Sequence, residues 1–272
     1  MQEREVGMKS IFDKNVIRNT CEEFFDLYEV TTDRTLEMVH AKVIHTRAVA
    51  QNCTEIAKSL GLDEYDQDVA WIIGELHDFA RFGQAVVTKS FRDTDRFDHA
   101  RLGARILFDH HMVDDIIPNF NEVCEEDRVV MKKAVYHHSD FRLPDDLTER
   151  ERLFCSIIRQ ADQIDIFRTI VLSGWQTIYG HTREEILASD ISEEILDAFR
   201  GQTLADYSRR VTPADYHMAH IALAFGLQMP AARKRIVEEG YLRQMMDIEF
   251  ADSGVQEKFL GAKASVEDFL GK

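Results

Sequence analysis

Proline and glycine are scarce in this chain, at 4 and 13 of 272 residues. That disfavours a turn-rich all-β protein and leaves helices as the natural reading. Cysteine is sparse too: Cys21, Cys53, Cys124 and Cys155 stand far apart and form no C-x-x-C pair. This argues against a disulfide framework and a structural zinc cluster, and predicts reduced thiols in a cytoplasmic protein. No apolar run approaches the ~18–20 residues that span a bilayer, and the opening MQEREVGMKS is too charged for a signal peptide. The expectation is a cytoplasmic chain with no membrane partner. Positive charge is in deficit: 33 Lys and Arg against 49 Asp and Glu leave a net charge of −16. Such a field repels an extended nucleic acid but tolerates a small phosphorylated molecule, because a local basic pocket or a metal reverses the field at one point. Neither H-E-x-x-H nor a P-loop is present, which removes zincins and Walker-type nucleotidases.

What is present is helical periodicity. Apolar positions recur every three or four residues over 12–28, 36–60, 63–82, 98–111, 125–138 and 150–172. Gly61 closes the second of these as a left-handed cap. Thr182 to Glu185 reads as a capping box, and Thr212-Pro213 as an N-cap followed by proline at N1, so helices continue towards the C-terminus. The fold class is all-α.

Polar residues interrupt the apolar faces in an ordered way. His45 lies four residues before Val49 on the stripe Val49, Cys53, Ile56, Leu60. His77 follows Val69 and Ile73 at +4, with Asp78 one step round. His99 shares a face with Leu102 and Ile106, His138 with Met131 and Ala134, and Asp162 with Cys155 and Ile158. A charged aspartate buried in this way costs several kcal/mol unless something pairs with it. A lone histidine on an apolar face is more often a satisfied core residue, but five successive helices each present a His or Asp inward. A metal resolves the cost, taking imidazole lone pairs and balancing carboxylates. Ligands without thiolate suit Mn, Fe, Co, Ni, Zn or Mg, one or two ions per chain.

The order His45 … His77-Asp78 … Asp162 resembles the HD-domain superfamily of metal-dependent phosphohydrolases, and the words around it are similar as well: KVIHTRAVAQNC, ELHDFARFGQ, DHARLGARILF, AVYHHSDFRLP and IIRQADQIDIFR. The resemblance covers about residues 36–170. It implies an HD helical bundle over 36–172, an N-terminal helical extension over 1–35 and a C-terminal helical region over 173–272 that packs on the bundle. It also implies that His45, His77, Asp78 and Asp162 hold a first metal, that Asp78 bridges to a second, and that His99 and His138 complete a binuclear site. His137 and Asp165 are the near alternatives to His138 and Asp162; the face and the Ala-Asp context favour the latter pair. The implied activity is hydrolysis of a phosphomonoester or phosphodiester of a small nucleotide-like substrate by a metal-activated water, with Asp78 and Arg81 as catalytic residues. Two branches fit poorly. The Gly-Tyr-Pro element of cyclic-di-GMP phosphodiesterases is missing from SDFRLPDD, and Arg81 stands where deoxynucleoside 5′-monophosphatases carry an acid.

Arg81, Lys89, Arg92 and Arg96 are the expected substrate-binding cations, one turn beyond His77 and along the polar connection to His99. His217 and His220, one turn apart, read as packing residues, as do Phe79, Phe82 and Phe97. Glu75 reads as a helix-surface residue, with a carboxylate that supports a ligand or acts as acid or base as the alternative. Two other readings stay open: a di-iron HD-fold oxygenase, and a catalytically inactive nucleotide-binding protein. A homo-oligomer is compatible with all three.

Overall fold

The computed structural model describes residues 9–28, 33–94 and 97–271. Among them no strand forms; the extended pairing is one isolated bridge between Thr94 and Phe97. No described helix is long and apolar enough to cross a membrane. The chain divides into two compact units, one running to Asp162 and the other from Gln163.

The first unit contains α1 (Lys14–Asp26), α2 (Asp33–Ser59), α3 (Glu64–Leu76), α4 (Phe79–Thr88), α5 (His99–Ala104), α6 (Met112–Ile116), α7 (Glu125–His137) and the first half of α8 (Glu149–Ser173). The second contains the rest of α8, then α9 (Trp175–Tyr179), α10 (Arg183–Leu187), α11 (Glu193–Arg200), α12 (Pro213–Ile221), α13 (Pro230–Glu239), α14 (Tyr241–Met245) and α15 (Ser253–Leu270). The boundary read at 172 from the sequence marks the end of α8, whereas the compact units change over within that helix. The extension drawn at 1–35 lies partly outside the described residues, and its described helix is α1.

In the first unit α2 and α3 pack closely because position 74 has no side chain. A Cβ on Gly74 would meet the Ala50 Cα at 2.5 Å, so any larger residue pushes the two helices apart. On α1, Ile17, Cys21 and Phe25 recur at +4 and are buried. Phe25 stacks on Phe82 with ring centroids 3.8 Å apart, and burying each large apolar side chain stabilises by about 1.5–3 kcal/mol. Arg18 pairs with buried Glu75 and lies over the Trp71 ring, so Glu75 belongs to the contact with α1. Phe79 packs against Phe24 and Phe25. In the second unit Phe199, Phe225 and Phe269 meet edge to face. Thr182 and Thr212 each close a capping box, with Glu185 and Asp215 at N3. Gly61 takes φ +74°, as a left-handed cap requires.

Two helices differ from the sequence expectation. The periodicity over 63–82 reads as one helix, but the backbone breaks between α3 and α4. His77 keeps helical angles, while Asp78 takes φ −101° and ψ 19°. Apolar spacing continues across the break because both helices bury a face, so spacing alone hides it. The stretch 98–111 is a short helix, α5, followed by a π-helical turn over Arg105–Asp109.

Candidate metal centre

Helix ends position the polar cluster. His77 is the C-cap of α3 and Asp78 the N-cap of α4; His99 is the first residue of α5, capped by Asp98; His138 is the C-cap of α7. His45 and Asp162 lie within α2 and α8, and Asn52 of α2 donates to the Ala161 carbonyl at 3.3 Å, linking the two helices beside Asp162. At a helix end a side chain can leave the face its neighbours share, which lets adjacent residues such as His77 and Asp78 reach the same point.

The six residues meet around Asp78. Its Oδ2 lies 3.6 Å from His45 Nε2 and 3.4 Å from His77 Nε2. Its Oδ1 lies 3.3 Å from His99 Nε2 and 3.7 Å from His138 Nε2. Asp162 Oδ1 is 3.1 Å from His45 Nε2 and 4.0 Å from His77 Nε2. Two overlapping groups are compact enough to hold an ion: His45, His77 and Asp162, and His77, Asp78 and His138.

The donor chemistry fits a cation. His77 Nδ1 faces the Gly74 carbonyl at 2.7 Å, and His138 Nδ1 the Val135 carbonyl at 2.8 Å. A carbonyl only accepts, so each Nδ1 carries the proton and each Nε2 presents a lone pair. The Nε2 of His77 is buried without a hydrogen-bond partner. His99 Nδ1 faces Asp93 Oδ2 at 2.6 Å, which leaves the His99 Nε2 lone pair 2.9 Å from that of His138. Two lone pairs at that separation repel, and a divalent ion accepting both converts the repulsion into binding.

Electrostatics agree. Burial pushes His77 down and His99 down to about 4, so both imidazoles are neutral at pH 7. Burial alone would lift the Asp78 carboxyl, but the Lys42 ammonium beside it holds it well below the usual carboxylate range. Burial likewise opposes Asp162, whose carboxyl the adjacent His45 holds well below its ordinary value.

The near alternatives lie elsewhere: His137 faces Asp140 at 2.7 Å, and Asp165 pairs with Arg168. Arg81 reaches the site through Nε, 3.5 Å from Asp78 Oδ1 and buried without a hydrogen-bond partner. Its terminal nitrogen Nη1 is turned away, donating to the Phe91 carbonyl, Gln84 Oε1 and Asp93 Oδ1. The fork expected to grip a phosphate is therefore committed to the α4–α5 connection. Lys89 and Arg92 are exposed on that connection, and Arg96 lies outside the described residues. His217 is enclosed in the second unit between the Tyr179 hydroxyl and the Met245 carbonyl, and so packs as expected.

Two residues that the sequence reading passed over belong to the cluster. Lys42 pairs directly with Asp78 Oδ2. A signal for it existed, because Lys42 precedes His45 by three and shares its helix face. Asp93 holds both His99 and Arg81, and no periodicity singles it out from Asp95 or Asp98 in the same polar connection.

A family model described as HD domain matches residues 43–166. Comparison with curated proteins and with solved structures gave no match.

Proposed function

We propose that this chain, whose residues 43–166 match the HD-domain family model, hydrolyses a phosphomonoester or phosphodiester of a small nucleotide-like molecule at a binuclear centre. The observation that carries the proposal is the divided environment of Asp78, one oxygen facing His45 and His77 and the other facing His99 and His138. His45, His77, Asp78 and Asp162 would hold the first ion, and Asp78, His99 and His138 the second. When bound, such ions supply Lewis-acid charge to a phosphoryl oxygen and lower the pKa of a water.

The chain's own residues supply the rest. Lys42 and the Nε edge of Arg81 flank Asp78 and give an anion its local attraction within a protein of net charge −16. Exposed Lys89 and Arg92 extend that attraction outward along the α4–α5 connection.

The four-histidine, two-aspartate set also supports a di-iron oxygenase as a second reading. Elemental analysis of protein purified without chelator or histidine tag separates the two. Two equivalents of manganese, cobalt or nickel, with phosphate released from a nucleotide panel, supports hydrolysis; iron with oxygen uptake supports the oxygenase. Nucleotide binding without turnover under every divalent ion would leave a binding protein and defeat both.

A further inference from the structure

The α4–α5 connection is tied to α4 by side chains besides Asp93. Arg81 Nη1 donates to the Phe91 carbonyl at 2.5 Å, and Gln84 Nε2 to the Arg92 carbonyl at 3.1 Å. Asp93 therefore is not needed to hold the connection in place. Its two oxygens differ in their closest partners: Oδ1 accepts from Arg81 Nη1 at 2.9 Å and from Gln84 Nε2 at 3.2 Å, while Oδ2 faces His99 Nδ1 at 2.6 Å and takes only a longer contact from Arg81 Nη2, at 3.4 Å.

We propose that Asp93 is the positioning residue of the second metal position, fixing the His99 ring proton on Nδ1 so that the Nε2 lone pair is aimed at the point shared by Asp78 Oδ1 and His138 Nε2. The proposal rests on the binuclear reading above. Its physical basis is tautomer control. A neutral imidazole carries one proton, and the acceptor at one nitrogen decides which nitrogen remains a ligand. His77 and His138 obtain the same control from the carbonyls of Gly74 and Val135, three residues back in their own helices. His99 begins α5, so no preceding turn of its own helix offers a carbonyl, and a carboxylate from the connection takes that place.

The arrangement makes a directional test available. In Asp93→Asn, Arg81 and Gln84 both point donors at the position of Oδ1, so the amide oxygen settles there and the amide NH2 turns to His99. Nδ1 must then accept, and the ring proton moves to Nε2, where it blocks metal ligation. Long-range 1H–15N spectra of the metal-free protein read this directly: Nδ1–H for His99 in the wild type and Nε2–H in Asp93→Asn. Manganese titration by calorimetry is the second readout. The wild type takes two equivalents; in Asp93→Asn the first binds as before and the second weakens by about 10–100-fold. Asp93→Ala, which leaves Nδ1 to solvent, should weaken the second equivalent without forcing the tautomer. An unchanged His99 tautomer in Asp93→Asn, or a second equivalent within twofold of wild type, overturns the proposal. A wild type that takes one equivalent defeats the binuclear reading instead, and the His99 tautomer then still decides whether Asp93 positions the ring.

Discussion

Each unit of the molecule buries an acid and an imidazole, and the two pairs are satisfied in opposite ways. In the second unit Asp215 is fully buried and accepts from the backbone N–H groups of Ser192, Val211 and Thr212 at 2.9–3.0 Å. His217, two residues on, donates to the Met245 carbonyl and accepts from the Tyr179 hydroxyl. Each Asp215 oxygen and each His217 nitrogen there has a partner. In the first unit Asp78 and His77 are equally buried, yet the nitrogens of His77, His99 and His138 aim lone pairs at each other and at two carboxylates. Burial does not distinguish the pairs, and neither does residue type. A shortage of donors does, because a fully satisfied cluster has nothing left to offer a ligand.

Exchanging the damage between the pairs should give the largest contrast. Asp78→Ala removes the carboxylate common to both ion positions and is expected to abolish metal content and turnover together. Asp215→Ala leaves three backbone donors buried without an acceptor, at about 1–3 kcal/mol each. It should lower the Tm by about ten degrees or more, at roughly 4 °C per kcal/mol for a unit only slightly larger than 100 residues, with metal content unchanged. Elemental analysis and thermal unfolding of both variants check this. Metal loss in Asp215→Ala, or retention in Asp78→Ala, would erase the distinction.

Acid titration sharpens the comparison on the structural side. Burial pushes His217 down to about 4 from 6.5. The unfolded chain therefore takes up a proton below pH 6.5 while the folded one does not. The contribution is fully present above pH 6.5 and is lost as pH falls towards 4, where the lower plateau begins. At 1.36 kcal/mol per pKa unit it amounts to at most about 3 kcal/mol. Urea unfolding of metal-free protein between pH 4 and 7 should show stability rising with pH, with a shallower rise in His217→Phe. An equal slope in the two proteins would place the acid sensitivity elsewhere.

The helical class and the six residues around Asp78 were legible because α-helical spacing turns sequence distance into a face. His45, His77, His138 and Asp162 each sit three or four residues from an apolar neighbour that the structure buries, and His99 four from buried Gly103. What spacing could not convey is where a helix stops within an apolar stretch. The break at Asp78 is invisible for that reason, although it sets which way the carboxylate turns. Nor can spacing order an aperiodic connection: Asp93, Asp95 and Asp98 look alike until Arg81 and Gln84 choose among them. Arg81 reads from the sequence as a substrate-binding cation because its partners lie 10 and 12 residues away across a connection with no periodicity. Asp215 went unremarked for a related reason, since a capping-box acid and a buried triple acceptor have the same sequence signature.

The smallest expected effect tests whether the first unit lacks donors throughout. Lys42 is the exception to that shortage: its ammonium pairs with Asp78 Oδ2, the oxygen that also faces His45 and His77. An ion entering there must displace it, because one carboxylate oxygen does not serve an ammonium and a divalent cation at the same point. Its side chain is 18% exposed and its ammonium lies over the Phe91 ring, so the displaced head can move towards water. Lys42→Met keeps the stem volume and removes the competitor. The first equivalent of metal should then bind about tenfold tighter, a gain of about 1.4 kcal/mol, while inorganic phosphate binds the loaded protein more weakly for want of the cation. Calorimetry with manganese and then with phosphate reads both changes. Tighter metal with unaltered phosphate would make Lys42 solely the counter-charge of Asp78, whereas unaltered metal would mean that the ammonium and the ion occupy separate places, and that Asp78 is better supplied with partners than its surroundings indicate.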